Sequence, residues 1–233
     1  MTVITESSLS SAFGHKIQSC FLGADAVYTV RVPLQYLIGV LQKLQSAASF
    51  DFNQLMDITA VDYSTYGQVD WSTQSTTFTG YSRAKSPQVV PTQMKDNLPS
   101  RFSVIYNLLS LTHHTRLRVE VFVDDEQQRV PSVVGLWPSA NWPEREVFDL
   151  FGIVFDGHPD LRRILTDYGF KGHPFRKDFP LIGEVEMRYD AKQGRCVYEP
   201  VSITPRVNMP RVIRNDNRYA AGLSDTTEGD THD

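Results

Sequence analysis

Apolar residues recur at every second position in two neighbouring runs, Phe102, Val104, Tyr106, Leu108 and Leu117, Val119, Val121, Val123. A period of two sends one set of side chains to a single face, so each run reads as a half-buried strand. Arg118 and Glu120 fall on the other face of the second run. His113 and His114 lie in the short connection, and a connection this short joins antiparallel strands. An antiparallel pair with one apolar face needs a covering layer, so packed helices are expected on that side.

Those helices and further strands can be found upstream. Tyr28, Val30 and Val32 alternate with Thr29 and Arg31, which predicts a strand. Pro33 then opens a helix, since it lacks an N–H that the first turn would leave unpaired anyway. Leu34, Leu37, Ile38, Leu41 and Leu44 supply the apolar stripe. Leu55 to Val61 reads as another strand. The expected fold class is α/β: a mixed sheet with antiparallel strands and packed helices, plus an extended C-terminal arm. Residues 15–135 read as the mixed α/β domain, interrupted at 62–100 by a long polar insertion with a short hairpin near Thr76 to Ser82. Residues 136–190 form a second block, and 191–233 form the arm.

Composition narrows the function. The 233-residue chain carries a formal net charge of −4, which gives no global attraction to nucleic acid or anionic membranes. The Arg206, Arg211, Arg214, Arg218 stretch is short, and nucleic-acid binding is not expected. The longest apolar run, Val32 to Leu41, is about half of what a bilayer span needs. The first residues have no charged-then-apolar signal pattern, so the chain is expected to act where it is made. Two cysteines, Cys20 and Cys196, stand far apart. An iron–sulfur cluster takes four thiolates, so none is expected in this chain alone.

The block after residue 136 is punctuated for helices. Asn141 three residues before Glu144 reads as a capping box. The helix runs to Phe151, and Gly152 stops it. A second short helix is expected from Pro159 to Gly169, with Leu161, Ile164, Leu165 and Tyr168 as its stripe. Val185, Met187 and Tyr189 begin a hairpin that turns at Lys192 to Gly194 and returns through Val201. Acidic residues from Asp225 onward read as a disordered end.

Catalytic constellations are not evident. The dinucleotide fingerprint is absent, and the outer glycines of a phosphate loop, Gly152 and Gly157, precede His158 where lysine is required. His158 and His173, each followed by proline, could join Asp160 or Asp178 at a metal, but more simply hydrogen-bond turns. Glu146 and Asp149 share a helix face, and Arg145 is placed to pair with Asp149. What remains is a dense mixture of charge and aromatics. Glu144, Arg145, Glu146, Asp149, Arg162, Arg163, Arg176, Lys177 and Asp178 interleave with Trp142, Phe148, Phe151, Phe155, Phe170, Phe175 and Phe179. Aromatic anchors beside arginine are what protein interfaces prefer, so this block reads as an interface, with Trp142, Phe151, Phe175 and Phe179 as its aromatics.

The run ANWPEREVFDLFGIVFDGHPDLRRILTDYGFKGHPFRKDFPLIGEVEMRYD resembles the signature region of a respiratory complex I family, the 30-kDa-type (C) subunits of NADH:quinone oxidoreductase. The matching pieces are Ala140 to Trp142, Glu144 to Glu146, Phe151 to Ile153, Gly157 to Pro159, Leu161 to Leu165, Gly172 to Pro174 and Arg176 to Pro180. Departures include Pro143 in place of a bulky residue, Phe175 and Ile182. The resemblance implies a scaffold subunit without cofactor or catalytic residues, in the hydrophilic arm of a proton-pumping enzyme that carries FMN and iron–sulfur clusters elsewhere. It implies packing against the large quinone-site (D) subunit, with the cluster-bearing B and I subunits nearby. Membrane contact would be through partners only, on the cytoplasmic side of a bacterial inner membrane or the matrix side in an organelle. Two other readings stay open at this point: the homologous subunit of a membrane-bound hydrogenase, and a free-standing metal hydrolase using His158 and His173.

Overall fold

The computed structural model describes residues 5–66, 76–77, 80–81 and 98–203. Most of the insertion, the Arg206–Arg218 stretch and the acidic end lie outside the described residues. The chain divides into two units, 1–66 with 93–204, and 67–92 with 205–233. In the second unit the described residues are the short pair β4 (Thr76–Thr77) and β5 (Gly80–Tyr81), which join antiparallel as Thr76↔Tyr81 and Thr77↔Gly80.

The first unit is a mixed α/β fold. It opens with α1 (Glu6–Phe13), capped by Thr5 and Ser8, whose hydroxyls each accept the other's backbone N–H. Leu9 and Phe13 of α1 are buried, and Phe13 stacks on Phe50. This helix precedes the expected domain start at residue 15. Its capping box uses serine where glutamate or glutamine is usual, which leaves a weak signal. Strands β1 (Ser19–Leu22), β2 (Tyr28–Arg31) and β3 (Gln54–Asp62) follow, with α2 (Leu37–Ser46) between the last two. Strands β6 (Phe102–Ser110) and β7 (Thr115–Val123) form the expected antiparallel pair. The sheet order is β1-β2-β7-β6-β3, and the β2–β7 pairing is parallel. That parallel contact is made possible by the crossover through α2.

The inward residues of the sheet, such as Val104, Tyr106, Val119 and Val121, form one core with Leu37, Val40, Leu41 and Leu44 of α2. Each such aliphatic side chain contributes about 1.5–3 kcal/mol on burial. Pro33 does not begin α2 directly. It precedes a 3₁₀ turn at Leu34–Tyr36, and α2 starts at Leu37. On the opposite face, Arg31 donates to Glu120 at 2.8 Å and Tyr63 donates to the other oxygen at 2.9 Å. Burial and the neighbouring Glu120 carboxylate push the Tyr63 hydroxyl up to about 12.

Beyond the sheet, β8 (Arg129–Pro131) pairs in parallel with β9 (Val154–Asp156), and α3 (Asn141–Phe151) lies between them and packs on β3. β10 (Val185–Asp190) and β11 (Arg195–Pro200) make the expected hairpin. Two local expectations are corrected. Asn141 is not the N-cap of α3: Ala140 is, after a 3₁₀ turn at Pro138–Ala140, and no side chain caps it. Glu144 is unavailable for a capping box because it points into the core. Nor is there a helix from Pro159 to Gly169. Leu165 and Tyr168 of its supposed stripe are exposed, so that stripe has no surface to bury.

Candidate functional site

The site grows from the C-terminus of α3. A helix ends with four carbonyls that lack partners inside it. Here the carbonyls of Phe148 to Phe151 are all closed, the first by the cap residue's own i→i−4 bond and the other three from outside the helix. The Gly152 N–H donates to the Phe148 carbonyl at 2.9 Å. His173 Nδ1 donates to the Asp149 carbonyl at 2.9 Å, the Phe175 N–H to Leu150 at 3.1 Å, and Arg176 Nε to Phe151 at 2.6 Å. The Gly-His-Pro-Phe-Arg run is therefore a helix cap supplied from outside the helix. Gly152 is required twice. Its φ of +79° favours glycine, and a Cβ there would sit 2.6 Å from both His173 Nε2 and Arg176 Nη2.

Asp149 organises the segment that was expected to be helical. Its carboxylate accepts the N–H groups of Ile164, Leu165 and Thr166 at 3.1, 2.8 and 2.9 Å. The Thr166 hydroxyl adds a bond at 2.5 Å and Arg163 Nη1 one at 3.1 Å. Backbone donors turned toward a carboxylate cannot also join a helical ladder, which is why the segment curls instead. Burial alone would push the Asp149 carboxyl up, but these donors outweigh it and hold it at about 2. Arg163 also donates to the Gly172 carbonyl at 2.9 Å, tying the curl to the cap.

The partner expected for Asp149 was Arg145, and this is corrected. Arg145 donates instead to the Arg162 carbonyl at 3.1 Å, with its guanidinium 4.8 Å from the centre of the Trp142 ring. Glu146 and Asp149 do not form a working pair, for Glu146 is exposed and Asp149 buried. Glu144, fully buried, accepts from the Ser132 hydroxyl at 2.6 Å and the Val133 N–H at 2.7 Å. Burial pushes its carboxyl up, against those two donors and nearby His158. Arg162 is exposed and pairs with Asp160 at 2.9 Å.

A second anchor holds the far end of the cap. Asp62, the last residue of β3, receives Arg101 Nε at 3.0 Å and Nη2 at 2.7 Å. The same carboxylate accepts the Lys177 N–H at 2.9 Å, and Arg101 also pairs with Asp178 at 3.1 Å. Burial pushes the Asp62 carboxyl up, yet Arg101 and the backbone donors hold it well below the usual range. Arg176 places Nη2 2.6 Å from Gln128 Oε1, with its guanidinium 5.1 Å from the Phe102 ring centre. Asp62, Arg101, Gln128, Ser132 and Thr166 were not singled out from sequence. The available signal was that Asp62 and Arg101 bound the insertion with opposite charges at facing strand ends.

Aromatics divide between core and surface. Phe151 belongs to the core and meets Phe175 edge-on at 5.8 Å, so only Phe175 of that pair offers surface. Phe179 stacks on Phe170, and Trp142 is exposed. A cleft of about 610 Å³ opens among Asp62, Phe151, Pro174, Phe175, Lys177 and Leu181. His158 accepts the Asp160 N–H at Nδ1 and donates from Nε2 to the Asn141 carbonyl. His158 thus serves the turn at Asp160, and His173 the cap of α3. Among the described residues no group of three or more His, Cys, Asp or Glu is placed to hold a metal.

The hairpin is inverted. Register places Val185, Met187, Tyr189, Cys196, Tyr198 and Pro200 on one face. Val185, Met187, Tyr189 and Tyr198 are 58, 59, 62 and 61% exposed. The other face carries Glu186, Arg188, Asp190, Arg195, Val197 and Glu199, with Arg188 donating to Glu199 at 2.7 Å; Glu186, Asp190, Val197 and Glu199 are half-buried there, so it is covered somewhat more than the apolar face. A soluble hairpin turns its apolar face inward. Tyr198 donates to Asp167, fixing the hairpin against the curled segment.

Comparison with known proteins places these features in a group. Residues 30–185 match the family model described as respiratory-chain NADH dehydrogenase, 30 Kd subunit. The chain is 52% identical over 233 residues to the C subunit of NADH-quinone oxidoreductase from Halorhodospira halophila, covering 95% of this chain and 94% of that one. It is 51% identical over 215 residues to the protein of the same name from Coxiella burnetii (strain Dugway 5J108-111), covering 92% and 94%. A chain of the membrane-bound sulfane sulfur reductase, an archaeal respiratory membrane complex, shares the fold at a TM-score of 0.52 and 20% identity, over 76% of this chain and 84% of that chain.

Proposed function

The chain belongs to the 30-kDa subunit family of the respiratory-chain NADH dehydrogenase, and on that premise we propose that it is a non-catalytic scaffold in the hydrophilic arm of a proton-pumping NADH:quinone oxidoreductase. The observation that carries this reading is the inverted hairpin. An apolar strip of Val185, Met187, Tyr189 and Tyr198 left in water is costly, and patches of this kind mark protein interaction sites. Trp142, Phe175 and Leu181 add exposed apolar surface on the neighbouring segments.

The charged residues of the signature block support a mechanical role. Arg145, Arg163, Arg176, Asp149 and Asp62 spend their hydrogen bonds on the chain's own backbone and side chains. They shape the docking segments and leave the aromatics to supply buried area. The partners on this reading are the large quinone-site (D) subunit, with the cluster-bearing B and I subunits close by. FMN and iron–sulfur clusters belong to those partners and to the rest of the enzyme. Among the described residues no helix is long and apolar enough to cross a membrane. The chain then reaches the cytoplasmic side of the inner membrane, or the matrix side in an organelle, through its partners. Both named relatives above 50% identity carry the NADH-quinone oxidoreductase name, which favours this enzyme over a membrane-bound hydrogenase. The metal-hydrolase reading is disfavoured because both ring nitrogens of His158 are taken, by the Asn141 carbonyl and the Asp160 N–H.

A C-terminally tagged chain, extracted from membranes in mild detergent and run on a native gel, tests the assignment. The tag is expected in a large band that stains for NADH oxidation. A tag found only as a small species outside that band would overturn it.

A further inference from the structure

We infer that Asp62 is the positioning residue for the strap formed by residues 172–180, and that this one carboxylate sets where the strap stands relative to the sheet. The inference rests on the docking reading above for its purpose, though not for its geometry.

The strap is held at two ends by unlike means. Its first half, Gly172 to Arg176, is spent on the carbonyls of α3. Its second half reaches back to the β3 edge, where the Lys177 N–H meets Asp62 at 2.9 Å. Arg176, Lys177, Asp178 and Phe179 form a turn closed by the Phe179 N–H on the Arg176 carbonyl at 3.0 Å. Lys177 is the second residue of that turn, so its N–H points outward and is free to bond elsewhere. Asp62 is the acceptor that takes it.

Asp62 can do this because its own position is fixed three times. It pairs with Phe102 in the sheet register, receives both Arg101 nitrogens, and accepts the Ser64 N–H at 2.9 Å. A bidentate guanidinium contact fixes the carboxylate plane as well as its place. Arg101 in turn donates its backbone N–H to Asp125 at 2.9 Å and accepts the Tyr63 N–H at 2.8 Å. The strap therefore docks on the root of the insertion, the pair of residues where the chain leaves β3 and enters β6. Ser64, Arg101 and Lys177 converge on one side chain from three separate stretches of sequence.

The test uses the full chain and two variants, Asp62→Asn and Lys177→Pro. Proline suits the second position of a turn and removes the strap's backbone donor, together with the exposed Lys177 side chain. Hydrogen exchange is read at the amides of Phe175, Arg176, Lys177 and Phe179 and, separately, along β6 and β7. In Asp62→Asn the strap amides are expected to exchange at least tenfold faster while β6 and β7 keep their protection. Lys177→Pro is expected to give the same faster exchange at Phe175, Arg176 and Phe179. Unchanged strap exchange in both variants would overturn the inference. So would an equal loss across β6 and β7, because Asp62 would then be an ordinary core residue. If Asp62→Asn does not fold, Lys177→Pro decides alone by the same criterion. The native gel is then run on Lys177→Pro. A loosened strap with an undiminished NADH-oxidising band leaves the positioning role standing and removes the docking purpose.

Discussion

Arg176 donates its Nε to the Phe151 carbonyl at 2.6 Å, so a residue 25 positions downstream closes the last open carbonyl of α3. Its Nη2 serves Gln128 at the same time. Two acceptors at fixed angles need a planar fork, which an ammonium cannot supply. Arg176→Lys is therefore expected to lose nearly as much stability as Arg176→Ala, roughly 1.5–3 kcal/mol for bonds to a charged donor. Thermal denaturation of the three proteins checks this. Full rescue by lysine would show that charge alone matters.

Gly152→Ala faces two penalties. The left-handed backbone costs about 1 kcal/mol for a residue with a Cβ. The methyl would also displace His173 and Arg176 from the carbonyls they close. We expect a destabilisation above about 1 kcal/mol together with faster amide exchange at Phe175. A loss limited to the backbone term, with the Phe175 amide still protected, would argue that the strap accommodates the methyl.

Asp149 makes a pH-dependent contribution with a definite sign. Its carboxyl is lowered from an ordinary 3.8 to about 2, so the folded state binds the proton more weakly than the unfolded state does. The stabilisation is present above about pH 4 and is lost as pH falls toward about 2. A shift of this size corresponds to roughly 2 kcal/mol. The stability gap between the parent and Asp149→Asn should be widest near neutral pH and shrink as the medium becomes acid enough to protonate the unfolded chain's aspartate. A gap that does not vary with pH would mean that the ionised form is not what the loop recognises.

Glu146 and Arg163 separate folding from docking. Glu146 is exposed, and among the described residues none bonds to or pairs with its carboxylate. Glu146→Ala should leave the isolated chain within about 0.5 kcal/mol of the parent. Arg163→Ala removes donors from Asp149 and Gly172 and should cost roughly 1–3 kcal/mol. Denaturant titration of the isolated chains measures both. Any fall in assembled enzyme from Glu146→Ala would then report a contact with a partner.

The parts of the fold governed by local periodicity were legible in the sequence. The β6–β7 pair, the β10–β11 hairpin and the stop of α3 at Gly152 follow from alternation and from glycine's freedom at positive φ. What escaped depends on partners distant in sequence. Asn141 and Glu144 have the spacing of a capping box, yet Ser132 and Val133 draw Glu144 inward. Leu161 to Tyr168 has helical spacing, yet Asp149 takes the very N–H groups that a helix needs. The Arg145–Asp149 pairing failed for the same reason, because Arg163 arrives from another stretch. The alternation of the hairpin was plain, but not that its apolar side faces out, since nothing in a period of two says which face is covered.

The most direct test of the scaffold account is Met187→Asp, which puts a charge in the middle of the exposed hairpin face and touches nothing in the core. Tagged parent and variant are compared for the amount of chain in the NADH-oxidising complex and for turnover per assembled particle. The account predicts a severalfold fall in assembled enzyme with turnover per particle unchanged. Full assembly with lost turnover would contradict it and move this chain into the catalytic machinery.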